Sequence, residues 1–222
     1  MFSGIVEEIG SLEARRGTAS SFRLEVRAEK VTKGIEPSHS IAVCGVCLTV
    51  ESTDRAGFTV YASPETISRT TLANKSPGSP VNLERALLAS SRIGGHFVLG
   101  HVDGVGQATH IRREADAWRF AFKLPENLMA DCVEKGSIAI EGISLTIAAM
   151  KSSGSDSGRP DTIEVAVIPF TFENTTFNTL KPGDPVNVET DIFAKYARKF
   201  LAPHTKNEGI TEDLLKQAGF ME

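Results

Sequence analysis

Ser40-Ile41-Ala42-Val43-Cys44-Gly45-Val46-Cys47-Leu48-Thr49-Val50 returns 97 positions later as Ser137-Ile138-Ala139-Ile140-Glu141-Gly142-Ile143-Ser144-Leu145-Thr146-Ile147. A second stretch, Pro77-Gly78-Ser79-Pro80-Val81-Asn82-Leu83-Glu84, returns 105 positions later as Pro182-Gly183-Asp184-Pro185-Val186-Asn187-Val188-Glu189. A 222-residue chain that repeats at this period divides into two domains, each long enough to build its own core. Two similar domains offer two similar pockets, which suits a protein that holds two copies of one molecule.

Working outward, Gly100-His101-Val102-Asp103-Gly104-Val105-Gly106 echoes Gly4-Ile5-Val6-Glu7-Glu8-Ile9-Gly10, so the repeat starts in register. The expected first domain covers residues 1–94 and the second 95–190, leaving 191–222 as a tail. The step from 97 to 105 puts eight extra residues late in the second half. Lys151-Ser152-Ser153-Gly154-Ser155-Asp156-Ser157-Gly158-Arg159-Pro160 accommodates them as a solvated hairpin loop. Apolar segments are short and β-branched, among them residues 22–26, 41–50, 58–61, 119–124, 137–147 and 163–168. Punctuated by Gly, Pro, Asn, Asp or Ser, they predict an all-β barrel or sandwich. In the tail, Ile192, Phe193, Tyr196, Ala197, Phe200 and Leu201 recur at helical spacing, and Pro203 ends that helix. Thr211-Glu212-Asp213-Leu214-Leu215-Lys216 reads as a second, short helix capped by Thr211. The first helix needs a partner for its apolar face, either the barrels or another subunit.

Composition narrows the function classes. Hydrophobic residues make up 41% and charged residues 23%, with a net charge of −4. Nothing implies a broad basic surface, so nucleic acid is not an expected partner. No apolar run is long enough to span a bilayer, and the start lacks a signal-peptide pattern. Three cysteines, Cys44, Cys47 and Cys132, argue against a disulfide framework and suit a reducing, cytoplasmic setting.

The exceptions inside the repeat mark candidate chemistry. Cys44-Gly45-Val46-Cys47 has C-x-x-C spacing but lies in a strand-like segment, with no second pair to complete a zinc site. Cys47 aligns with Ser144, and both are either small packed residues or pocket-lining groups. Thr49 and Thr146 are equivalent, and a hydroxyl kept in both halves suits either a strand or a polar ligand. His101 aligns with Ile5, and an imidazole facing an alkyl twin favours a catalytic or ligand-facing role. His96 stands close to it, and no third residue completes a metal site. Ser63-Pro64-Glu65-Thr66 aligns with Ile168-Pro169-Phe170-Thr171. Glu65 with Thr66 can grip a polyol or heterocycle, which Phe170 cannot. Ser40, Glu84, Lys135, Glu141 and Asp191 complete the polar candidates, with surface charge the bland alternative for most.

Together these motifs resemble riboflavin synthase, the single-chain type. The match rests on Met1-Phe2-Ser3-Gly4-Ile5-Val6-Glu7, Gly45-Val46-Cys47-Leu48-Thr49-Val50, Val81-Asn82-Leu83-Glu84-Arg85-Ala86, Ile93-Gly94-Gly95-His96-Phe97-Val98-Leu99-Gly100-His101-Val102 and Gly142-Ile143-Ser144-Leu145-Thr146. The resemblance implies two six-stranded antiparallel Greek-key barrels and a C-terminal helix that holds a homotrimer. It implies dismutation of two 6,7-dimethyl-8-ribityllumazine molecules to riboflavin and 5-amino-6-ribitylaminouracil, with no metal or organic cofactor. Lumazine synthase is a further candidate partner. The implied catalytic residues are Ser40, Cys47 and His101, with Ser40, Cys47 and Thr49 of one subunit facing His101 of a neighbour. The implied first-barrel binding segments are Gly4, Ile5, Val6; Cys47, Leu48, Thr49; and Tyr61, Ala62, Ser63, Pro64, Glu65, Thr66. The second barrel is expected to contribute Gly100, His101, Val102; Lys135; Ser144, Leu145, Thr146; and Ala166, Val167, Ile168, Pro169, Phe170, Thr171. Cys44 and Phe170 depart from the family pattern, where polar residues are usual. A binding-only antenna protein of the same fold is the main rival, and retention of Ser144, Thr146, Lys135 and His101 favours the enzyme. A barrel-type flavin reductase would need a G-x-G-x-x-G motif, which is missing.

Overall fold

The computed structural model describes residues 1–18, 21–152, 160–201 and Lys216. Strands β1 (Glu8–Gly17), β2 (Phe22–Arg27), β3 (Ser40–Val43), β4 (Val46–Thr53), β5 (Gly57–Ala62) and β6 (Pro80–Arg85) close one antiparallel barrel. Its ring order is β1-β2-β5-β4-β3-β6. Strands β7 (Gly104–Glu114), β8 (Ala117–Lys123), β9 (Ser137–Ile140), β10 (Ile143–Lys151), β11 (Thr162–Val167) and β12 (Pro185–Thr190) close a second barrel with the same order.

Alternation sets each strand's inner face. Phe22, Leu24 and Val26 are buried, while Arg23 and Arg27 between and beyond them are exposed. They join Ile41, Val60 and Leu83 in the first core. The second core is richer in aromatics, with Phe120 stacked on Phe177 at 4.8 Å between ring centroids. Each such side chain contributes about 1.5–3 kcal/mol on leaving water.

Residues 41–50 and 137–147, expected as unbroken strands, are tight hairpins. Cys44 (φ 49°) and Gly45 (φ 80°) turn the first, and Glu141 (φ 50°) and Gly142 (φ 77°) turn the second. Two successive positive φ angles make a two-residue turn that follows the strands' own twist. A glycine within an apolar run was the missed signal.

The hairpin tips touch, and the barrels meet there about an approximate two-fold relation. A Cβ on Gly45 would come within 2.7 Å of the Gly142 nitrogen, and one on Gly142 within 2.6 Å of the Gly45 nitrogen. Asn82 donates through Nδ2 to the Glu141 carbonyl (2.9 Å) and accepts from the Thr176 amide (2.8 Å). Its repeat mate Asn187 donates to the Cys44 carbonyl (3.0 Å) and accepts from the Thr71 amide (2.7 Å).

The arms preceding β1 and β7 trade barrels, which corrects the expected grouping of site segments. The Gly4 carbonyl accepts from the Ser144 amide of β10 at 2.8 Å, and Val6 packs against the second core. Conversely, the Gly100 carbonyl accepts from the Cys47 amide of β4 at 2.9 Å, and Val102 packs against the first core. Gly4, Ile5 and Val6 therefore belong with the second barrel, and Gly100, His101 and Val102 with the first. The arms bond each other where they cross, Phe2 N–H to Val98 at 2.7 Å and Val98 N–H to Phe2 at 3.1 Å.

The tail helix spans Ile192–Leu201. Its polar side is tied to the second barrel by Lys195–Asp103 (2.6 Å) and Arg198–Asp131 (2.7 Å). Phe193 meets Phe97 edge-on, yet Phe193, Tyr196, Phe200 and Leu201 all remain exposed. The extra residues of the second half do join β10 to β11, but 153–159 lie outside the described residues, as do Pro203 and residues 211–215 of the expected second helix.

Candidate active site

The candidate groups of the first barrel stand on the outside of its wall. Along β3 and β4, Ile41, Val43, Val46, Leu48 and Val50 point into the core, so Ser40, Ala42, Cys47 and Thr49 point out. Strand pairing sets Ser40 opposite Thr49 and Ala42 opposite Cys47. The second barrel repeats this patch as Ser137 opposite Thr146 and Ala139 opposite Ser144. Phe2, Val98, Ala42 and Ala139 form a small apolar cluster between the barrels, with Cys47 against it.

Two glycines let the arms lie on these patches. Gly100 (φ 79°) is so close that an added Cβ would stand 2.5 Å from the Cys47 Cβ. Gly4 (φ 74°) faces the Ser144 Cβ at 2.6 Å in the same sense. Positive φ and this contact both demand glycine. Two buried carboxylates pin the arms. Glu84 accepts from the Ser3 amide (2.7 Å), the Ser3 hydroxyl (2.9 Å) and the Gly4 amide (3.0 Å). Glu189 accepts from the Leu99 (2.7 Å) and Gly100 (2.9 Å) amides. Burial pushes both carboxyls above the usual carboxylate range, and the amide donors pull them partly back. Glu84 had read only as a polar candidate, and Glu189 had carried no role. Their shared offset in the V-N-x-E repeat was the available signal.

His101 follows Gly100 directly and is exposed, so this chain's own His101 lies on the first barrel beside Cys47. A cleft of about 780 Å³ brings Ser40 together with Ile5, His39, Glu84 and Leu88, and neither Cys47 nor His101 lines it. Leu48 and Leu145 are buried within the two cores, so their side chains serve packing.

At the rims the halves diverge. The first rim helix, Pro64–Arg69, is capped by Ser63, whose hydroxyl accepts from the Thr66 amide (3.2 Å) and contacts the Thr66 hydroxyl (2.9 Å). Glu65 is exposed and pairs with Arg69. Tyr61 is exposed and lies under Arg23, and Ala62 is buried. The equivalent helix, Pro169–Glu173, has Ile168 at the cap position and no side-chain cap. Ile168 and Phe170 are exposed, as is Ala166, while Val167 is buried and Thr171 half-buried. Lys135 is exposed in a left-handed turn (φ 68°), matching Ser38 (φ 78°) in the first half. Among the described residues no three His, Cys, Asp or Glu side chains converge as metal ligands would.

The lumazine binding domain family model matches residues 3–86 and 99–191. Riboflavin synthase of Bacillus amyloliquefaciens is 42% identical over 223 residues, covering 99% of this chain and 100% of the relative. The chain belongs to the riboflavin synthase family. Among solved structures, LumP complexed with riboflavin superposes with a TM-score of 0.75 at 27% identity, covering 86% of this chain and 99% of that one. LumP complexed with 6,7-dimethyl-8-(1'-D-ribityl) lumazine gives a TM-score of 0.73 at 26% identity, with the same coverage.

The two departures from the riboflavin synthase pattern fall in different places. Cys44 is fully buried at the hairpin tip, where burial pushes its thiol up to about 12 and leaves it an inert, protonated group. It belongs to the junction between barrels, not to either outer patch. Phe170 stands at the rim of the second barrel, 72% exposed.

Proposed function

We infer that this chain is a riboflavin synthase, converting two 6,7-dimethyl-8-ribityllumazine molecules to riboflavin and 5-amino-6-ribitylaminouracil by transfer of a four-carbon unit. The observation that carries the reading is full-length similarity to riboflavin synthase together with two arm-covered patches, one on each barrel. In this reading each patch binds one lumazine. The Cys47 patch, with Thr49, His101 and the Tyr61 to Thr66 rim, takes one molecule. The Ser144 patch, with Thr146, Val6 and the Ala166 to Thr171 rim, takes the other.

The chemistry asks little of the side chains. The C7 methyl of the lumazine is acidic because its anion delocalises into the pteridine. The main task is to hold two electrophilic rings face to face, so proximity supplies much of the rate. Proton transfers by His101, Ser40 or Cys47 then contribute about 10²–10⁴-fold each. In this reading one chain carries its two patches on separate barrels, and the rings meet where unlike barrels of two subunits face each other. The open apolar row Phe193, Tyr196, Phe200 on the tail helix supports association, and a homotrimer is the proposed assembly.

The test is incubation with 6,7-dimethyl-8-ribityllumazine, without added metal or cofactor, followed by absorbance. One riboflavin formed per two lumazines consumed establishes the reaction. Tight binding without turnover establishes the second reading, a lumazine- or flavin-binding protein, which the likeness to LumP keeps in view.

A further inference from the structure

Cys47 and Ser144 are repeat mates, yet only Ser144 has an imidazole partner among the described residues. His96 Nδ1 lies 2.7 Å from the Ser144 hydroxyl oxygen. The contact is built from both sides. The His96 amide donates to the Ser3 carbonyl (3.2 Å), which anchors the segment on the opposite arm. Gly95 approaches so closely that an added Cβ would stand 2.6 Å from the Ser144 oxygen. The ring itself is buried, and its Nε2 meets no polar partner among the described residues. A side chain kept only to fill space would not bury an unpaired ring nitrogen, since Leu or Phe fills the same volume without that cost.

We propose that His96 is a positioning residue for the second barrel's pocket, holding the Ser144 hydroxyl in one fixed direction toward the bound lumazine. This rests on the reading of that patch as a lumazine site. A serine hydroxyl is a rotor that donates one hydrogen bond and accepts two. Tying it to Nδ1 removes its freedom before the ligand arrives. Burial holds His96 below the ordinary histidine range, against an opposing pull from Asp191, so the ring stays neutral near pH 7. A neutral ring carries one proton, so Nδ1 accepts from the hydroxyl in one tautomer and donates to it in the other. The Cys47 thiol of the first barrel has no such constraint among the described residues, and the two lumazines therefore meet unlike walls. That difference gives one molecule a fixed hydrogen bond and leaves the other beside a polarisable, movable group.

The experiment is a double-mutant cycle on H96A and S144A, with H96N as the conservative variant because its amide sits near the Nδ1 position. H96A is expected to lower kcat about tenfold, the loss of one orienting hydrogen bond. H96N is expected to stay within about threefold of the parent, and H96A is expected to cost nothing further in the S144A background. Equal losses from H96A in both backgrounds overturn the proposal, as does an H96N variant that folds to the parental melting temperature but is as slow as H96A. ¹⁵N imidazole spectra give a readout independent of turnover: relative to the parent, the His96 signals move on S144A and stay put on C47A. Should the protein bind lumazine without converting it, the functional reading falls, and the same cycle run on the dissociation constant still decides the role of His96.

Discussion

The two hairpin tips, Cys44-Gly45 and Glu141-Gly142, share a backbone and differ in one side chain, and the rest of the molecule follows the same division. Several residues on which the halves agree build scaffold: Asn82 and Asn187 cross-link the barrels, Gly4 and Gly100 seat the arms, and Glu84 and Glu189 pin them. Where they disagree, the side chains make different contacts, as at the tips, the rim caps and the Ser144 hydroxyl. At the tips, Glu141 accepts from the Asn187 amide (2.7 Å) and faces the mostly buried Lys75 ammonium at 3.4 Å, while Cys44 carries no charge. The lysine comes from the first half, so this ion pair locks the two barrels together.

The strongest way to break the comparison is at that lock. Glu141→Ala strands the Lys75 charge, and removing one partner of a buried pair costs about 3–5 kcal/mol. Cys44→Ala at the matching tip removes a small neutral group and costs about 1–2 kcal/mol. Urea denaturation of the two variants measures the contrast. Equal losses would show that the tips are held by their backbones alone. Pairing Lys75→Met with Glu141→Gln should recover most of the stability, because no charge is then left unpaired.

Next in size is the imidazole without a twin. His101→Ile makes the first-barrel arm like the second, where Ile5 stands. Loss of a proton-transfer group predicts a fall of about 10²-fold in kcat. The side chain is exposed, so the melting temperature should barely move. Riboflavin formation followed by absorbance reads the first quantity and calorimetry the second. An unchanged kcat would remove His101 from the chemistry.

A smaller contrast sits at the rims. Ser63 caps its helix and Ile168 does not. Ser63→Ala should cost about 1 kcal/mol, and Ile168→Ser should return a similar or smaller amount by supplying the missing acceptor. Opposite signs in thermal unfolding support the cap as the cause, and matching signs count against it.

The repeat made the duplication and the barrels legible, because the strands' inward faces are apolar and the motifs recur in order, and helical spacing did the same for the tail helix. Two features stayed hidden for physical reasons. The hairpins at Cys44 and Glu141 lie within predominantly apolar runs, so a glycine, joined by Glu141 in the second half, is all that marks each turn. The exchange of arms is a matter of which partner a short extended segment meets. Gly4 reaches Ser144 and Gly100 reaches Cys47 through backbone bonds, and backbone bonds leave no mark on side-chain pattern. The candidate site suffered most from this. The residues on the patches were named, but His101 was assigned to the wrong barrel, and the bond from His96 to Ser144 depends on a three-dimensional approach that only Gly95 hints at.

The smallest effect separates the two arm-pinning carboxylates. Burial raises both, but among the described residues only Glu189 has a cation that offsets it, Lys195 from the tail helix. A carboxyl raised in the folded state binds its proton more tightly there than in the unfolded chain. Its stabilising contribution is complete below the unfolded value, about 4.3, and is lost as pH rises through the folded value. Lys195→Met removes the offset and raises Glu189 further, so stability should fall more steeply between acid and neutral pH than in the parent. Lys195 also pairs with Asp103, and loss of that bond acts at the same time. Repeating the titration in Glu189→Gln isolates the term, since the extra slope must then vanish. In Glu84→Gln it must persist, because among the described residues no tail-helix cation acts on that carboxylate. A slope that survives in Glu189→Gln would assign the effect to Asp103 and would leave the two pinning sites electrostatically alike.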